Sequence, residues 1–153
     1  MIRLSRLTDY AVVLLSYMGK EGSKDLWAAS DLAEKSGLPM PTVAKVLKLL
    51  AKTGMISAQR GATGGYKLTR PASEIKVVEI IEAMDGPVNI TDCSDGGLHK
   101  DCQLCGKCPM TIGWRKVNAV IRHALENISL AEMEIVAVPF PVQEREARLA
   151  EGQ

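Results

Sequence analysis

Cys93, Cys102, Cys105 and Cys108 are the chain's only cysteines, and all four fall within sixteen residues. Thiols crowded in this way act together. The Cys102-x2-Cys105-x2-Cys108 run spaces each sulfur a short turn from the next, which suits thiolates converging on a small inorganic core, and the Cys108-Pro109 step is found in ferredoxin-type runs. A secreted disulfide scaffold would spread its cysteines behind a signal peptide. Residues 1–20 instead carry Arg3 and Arg6 and no small-residue cleavage site. A structural zinc site draws two cysteine pairs, or cysteine with histidine, from separate turns. Here one trio stands with a distant Cys93 and with His99 between them. Zinc is therefore the alternative, and an iron–sulfur cluster, 4Fe-4S or 2Fe-2S, is the expectation.

The elements that must carry this segment are legible in the periodicity. With 153 residues, 46% of them hydrophobic, the chain can bury one compact core. No apolar run approaches the roughly 20 residues of a membrane span, so a soluble, cytoplasmic protein with no membrane partner is expected. Net charge is +1, but the sum hides a division. Residues 1–76 hold twelve Lys or Arg against six Asp or Glu, and the remainder seven against twelve. A basic first half facing a polyanion is the expectation.

Ala11, Leu14, Leu15 and Met18 recur at helical spacing from Leu7 to Met18, with Thr8 as the expected cap and Gly19 as the stop. Residues 30–35 predict a second helix closed by Gly37, and Pro39 and Pro41 permit a turn and a new helix start. From Pro41 to Thr53, Val43, Val46, Leu47 and Leu50 form an apolar stripe opposite Thr42, Lys45, Lys48 and Lys52. Two short helices around a Gly-containing turn, the second basic on its outer face, describe a helix-turn-helix that offers one helix to a DNA major groove. Strands at 55–58 and 66–68 flank Arg60-Gly61-Ala62-Thr63-Gly64-Gly65, a wing in which glycines permit positive φ and close approach and Arg60 can enter a minor groove.

Beyond the wing, a helix is expected over about 73–85 and a longer one over about 109–127. Ile112, Val117, Val120, Ile121, Ala124, Leu125 and Ile128 give the longer helix a wide apolar stripe. So much apolar surface with little chain left to cover it predicts a homodimer; packing back onto the first helix is the competing arrangement. Ser129 to Glu132 has the form of a capping box opening one more short helix. The fold class is mainly α with a small β wing. Its expected divisions are a winged helix-turn-helix over 1–85, a cysteine segment over 86–110, a dimerisation region over 111–135 and a flexible tail over 136–153. His99 and His123 are isolated and no catalytic constellation stands out, so neither an enzyme nor a small-molecule substrate is expected.

The opening residues 1–11, the wing from Arg60 to Tyr66, and a cysteine segment closing on Cys108 six residues before Trp114 resemble the IscR/NsrR-type family of iron–sulfur winged-helix transcriptional regulators. The resemblance spans about residues 1–135 and is nearest to the branch that regulates the SUF iron–sulfur assembly operon. It implies a homodimer on double-stranded promoter DNA with one cluster per subunit, and Cys93, Cys102 and Cys108 match the family's ligand pattern. Some members supply a histidine three residues after the last cysteine, where this chain has Thr111. Others recruit an acidic residue from the partner's first helix, and Asp9 stands at the matching position. Cys105, an addition to the three-cysteine pattern, is the rival fourth ligand; it is preferred because thiolate binds ferric iron better and lies near in sequence.

The resulting expectation is a cluster-sensing repressor of assembly genes. Thr42 and Lys45 would meet base edges, Lys48 and Arg6 phosphate, and Arg60 the minor groove, with Gly61, Gly64, Gly65 and Tyr66 completing the wing. The alternatives are a zinc-stabilised winged-helix repressor and a small iron–sulfur electron carrier.

Overall fold

The computed structural model describes residues 3–20, 25–61, 64–91, 102, 104 and 107–133. Among these, helix α1 spans Arg6–Gly19, α2 Ala29–Ser36, α3 Met40–Lys52, α4 Val77–Asp85 and α5 Thr111–Glu126, with strands β1 Ile56–Gln59 and β2 Gly65–Leu68 between α3 and α4. The expected tail lies outside the described residues, as do Cys93 and Cys105.

α1 begins one turn earlier than the apolar periodicity suggests. Ser5, not Thr8, is its cap, because the Ser5 Oγ accepts the Thr8 backbone N–H at 3.1 Å. Thr8 is fully buried and its hydroxyl lies 3.0 Å from that of Ser5. α2 ends where expected: Gly37 takes a left-handed φ of 69° and its N–H bonds the Ala33 carbonyl. Pro41 sits in the first turn of α3, where a missing N–H costs nothing.

Val43, Val46, Leu47 and Leu50 of α3 meet Ala11, Leu14, Leu15 and Met18 of α1, Leu32 of α2 and Ile80 of α4 in one core. The strands pair antiparallel with Ile56 opposite Leu68 and Gln59 opposite Gly65. Trp27 adds a bridge to the other edge of β2, exchanging backbone bonds of 2.9 and 2.8 Å with Tyr66.

The wing glycines serve two purposes. Gly61 has a φ of 122°, which only glycine adopts readily. Gly64 and Gly65 do not have positive φ; they are needed for room. A Cβ on Gly65 would lie 2.6 Å from the Trp27 carbonyl oxygen, and one on Gly64 would strike the carbonyl of Gln59. Because the obstacle is backbone, it cannot swing aside. Gly65→Ala should therefore cost about 1–3 kcal/mol, the usual scale of overpacking. The measurement is the denaturant midpoint; a wild-type midpoint would mean that the Trp27 contact yields freely.

The helix expected over 73–85 is divided. A 3-10 turn at Ala72–Glu74 precedes α4, and Ile75 and Lys76 between them are extended. The reason is non-local. The Ile75 carbonyl accepts from Leu130 N–H at 2.8 Å, and Val77 N–H donates to the Ile128 carbonyl at 2.9 Å, so the chain leaving α5 pairs with this stretch. Leu130 enters the core at 2% exposure, and Ser129 caps a short 3-10 turn through Glu132.

Candidate nucleic-acid interface and cysteine segment

With Val43, Val46, Leu47 and Leu50 turned to the core, the geometry of α3 leaves Met40, Pro41, Ala44, Lys45, Lys48 and Lys52 exposed. Thr42 is half-buried, its N–H bonded to Pro39 O at 2.9 Å. Lys45 and Lys48 stand three residues apart on one ridge and take part in no ion pair among the described residues. By contrast Arg70 is committed: its guanidinium holds the Glu79 carboxylate at 2.7 Å and also reaches the Glu74 carbonyl. Burial raises the Glu79 pKa, but the Arg70 hydrogen bond and the Lys76 N–H more than offset this and hold it below the ordinary carboxylate value.

Arg60 and Gly61 are exposed at the end of β1, whereas Gly64 and Gly65 are half-buried. Tyr66 packs partly against the core, so its side chain is a buttress for the wing. Lys67 is exposed on the same strand. Lys67 and Met40 are surface residues outside the expected contact set; alternation along Tyr66-Lys67-Leu68 marks the first, and the apolar stripe of α3, read in negative, marks the second, while Pro41 and Ala44 on the same exposed face offer no polar readout.

Arg6 and Asp9 are exposed on the first turns of α1. This helix start is tied down from α4, where Asp85 Oδ2 accepts the Ser5 N–H at 3.0 Å. Burial raises the Asp85 pKa, yet the bonds from the Ser5 side chain and backbone and from Thr8 outweigh it and keep the carboxyl below its ordinary value. The stretch carrying Arg3 and Arg6 is thereby fixed relative to α4.

Cys102 is exposed and Cys108 half-buried, both as free thiols. Cys108 is held at the foot of α5, since its carbonyl accepts the Thr111 hydroxyl at 3.0 Å and the Thr111 N–H at 3.4 Å. α5 packs on α4 through half-buried Ile121, Arg122 and Leu125, and Arg122 pairs with Glu82 across the two helices and with Glu126 on its own. Its apolar stripe stays largely outside: Ile112 is 71% exposed and Val120 69%, with Val117, Trp114 and Ile128 less so. The one buried residue on α5 is polar, Asn118.

A helix-turn-helix whose second helix offers lysines, followed by a glycine-containing two-stranded wing with an exposed arginine, defines a winged-helix DNA-binding protein. The family model Rrf2, described as an iron-dependent transcriptional regulator, matches residues 4–134, and the chain belongs to this family. It is 31% identical over 132 residues to the transcriptional regulator IscR of Klebsiella pneumoniae, an alignment covering 86% of this chain and 79% of that protein. The solved structure of T. potens IscR matches with a TM-score of 0.62 at 25% identity, over 99% of this chain and 93% of that one. The structure of CymR, the global cysteine regulator of B. subtilis, matches in fold with a TM-score of 0.68 at 18% identity, over 87% and 96% of the two chains. The protein is a DNA-binding transcriptional regulator and not an enzyme. Among the described residues no helix is long and apolar enough to cross a membrane.

Proposed function

We propose that this regulator is a homodimeric sensor of iron–sulfur status that represses SUF-type cluster-assembly genes. The observation that carries the reading is the placement of the cysteines: every thiol of the chain lies in the segment that enters α5, and Cys108 is bonded to that helix's first turn. The donor set fits the group. Cys102 and Cys108 are not core-packing residues, and free, accessible thiols are the ligands that iron–sulfur clusters take. Cys93, Cys102 and Cys108 would hold one cluster per subunit, with Cys105 as the fourth ligand or, failing it, Asp9 of the opposite subunit. A bound cluster supplies chemistry that oxidants, nitric oxide and iron shortage can each undo.

The chain's own residues carry the response. α5 bears the exposed stripe that a second copy would cover, and it is bonded to the cysteine segment and to α4. A change in how that segment is held alters the seat of α5 and hence the spacing of the two α3 helices across the two-fold axis. An order–disorder change in such a segment is sufficient. Tenfold control of an operator needs only about 1.4 kcal/mol of differential binding.

On the DNA, Lys45 reads a base edge with Thr42 beside it, Ala44 offers a methyl to the groove, Lys48 and Arg6 neutralise phosphates, and Arg60 enters the minor groove from the wing. The test compares anaerobically isolated protein with chelator-stripped protein on the promoter of a SUF operon. Brown, iron- and sulfide-containing protein should bind at least about tenfold more tightly than the stripped form. Colourless, iron-free or zinc-loaded protein that binds the promoter at full strength would sink the proposal.

A further inference from the structure

α5 leaves Ile112, Val117 and Val120 exposed, half-buries Ile121 and Leu125, and fully buries a single amide, which has a specific task. Asn118 is 8% exposed. Its Oδ1 accepts the Ile90 backbone N–H at 3.1 Å, and its Nδ2 donates to Asn89 Oδ1 at 3.4 Å. Because the Ile90 N–H can only donate, the orientation of the Asn118 amide is determined. A buried amide with both ends satisfied at two successive residues of one strand of chain is a clamp on that strand.

The strand is the connector leading out of α4 toward the cysteines. Cys93 follows Ile90 by three residues, a reach of at most about 10 Å. At the other end, Cys108 is bonded through its carbonyl to Thr111. Thr111 and Asn118 are seven residues apart on one helix, so they share a face and stand roughly 10 Å apart along the axis. Both ends of the cysteine segment are thus pinned to the same face of α5, which closes the loop before any ligand is bound and reduces the entropy lost when the thiols converge.

We infer that Asn118 is a positioning residue for the metal site: it fixes the point from which Cys93 sets out, on the same helix that holds Cys108. The inference rests on the cluster reading proposed above. Asn118→Leu keeps the volume and removes both bonds. Asn118→Asp keeps the acceptor for Ile90 and, with the exposed Asn89 amide turned over, the second bond as well.

Two measurements on the full-length protein test it. Hydrogen exchange at the Ile90 amide, followed in chelator-stripped protein, needs no metal; protection should be lost in Asn118→Leu and kept in Asn118→Asp. Iron loss from anaerobically reconstituted protein to a ferrous chelator should be about tenfold faster in Asn118→Leu, the scale of lost outer-sphere support at metal sites, and near wild type in Asn118→Asp. A merely structural role would slow or speed neither variant selectively and would instead lower the melting point of the stripped Asn118→Leu protein. Unchanged protection at Ile90, or wild-type iron retention in Asn118→Leu, would overturn the inference while leaving the cluster reading intact. Wild-type protein that takes up no iron would remove that reading, and this inference with it.

Discussion

Replacing Val120 by Asp will convert the protein into a monomer and abolish tight operator binding. Val120 is 69% exposed in the subunit and Ile112 71%, so neither contributes to the core that Leu14, Leu47 and Ile80 build, and the subunit fold should be retained. In the dimer proposed here the same position is covered by a second copy, and two-fold symmetry introduces the carboxylate twice. An unpaired charge in an apolar interface costs several kcal/mol after relaxation, which exceeds what most interfaces of modest size have in reserve. Sedimentation velocity reads the assembly and circular dichroism the fold. Because a dimer engages two half-sites at once, a monomer forfeits the effective concentration that links them, typically on the order of a hundredfold in affinity. Val120→Asp protein that sediments as a dimer would place the interface elsewhere.

The second large effect separates the two lysines of α3. Lys45→Ala is expected to cost about 1–3 kcal/mol at each half-site and to relax the preference at one base pair, as loss of a base-edge contact does. Lys48→Ala should weaken all sequences nearly equally and reduce the slope of log K against log salt by about 1 per subunit. The distinction comes from position on the helix. Lys45 lies in the turn nearer the amino end, where recognition helices approach bases, and Lys48 one turn further along the same exposed ridge. Binding isotherms at several salt concentrations on a matched and a scrambled operator check both. A uniform loss from Lys45→Ala would make it a phosphate contact and leave Thr42 and Ala44 to read the sequence.

Much of the scaffold was readable without coordinates because it depends on local rules. Apolar residues three and four apart marked α1, α3 and α5, Gly37 marked the end of α2, and Arg60 with the glycine-rich run after it marked the wing. The Rrf2 family match over residues 4–134 agrees with the class of regulator that those signals imply. Signals that depend on distant partners were not readable. Local spacing points to Thr8 as the cap of α1, but Ser5 takes that role, its hydroxyl paired with that of Thr8 and its N–H held by the Asp85 carboxylate eighty residues away. The helix expected over 73–85 gave way to an extended step at Ile75 and Lys76, because residues 128–130 claim its backbone bonds.

By itself the sequence determined the order of elements, the basic face of α3 and the crowding of four thiols ahead of α5, since each follows from side-chain type and spacing along a few turns of chain. Tertiary structure decided which face of α5 is inward, that Asn118 rather than an aliphatic residue is buried there, and that Gly64 and Gly65 are small for lack of room. Those outcomes depend on which backbone donors and carbonyls arrive from elsewhere in the fold, and a buried polar group is stable only where such a partner waits for it.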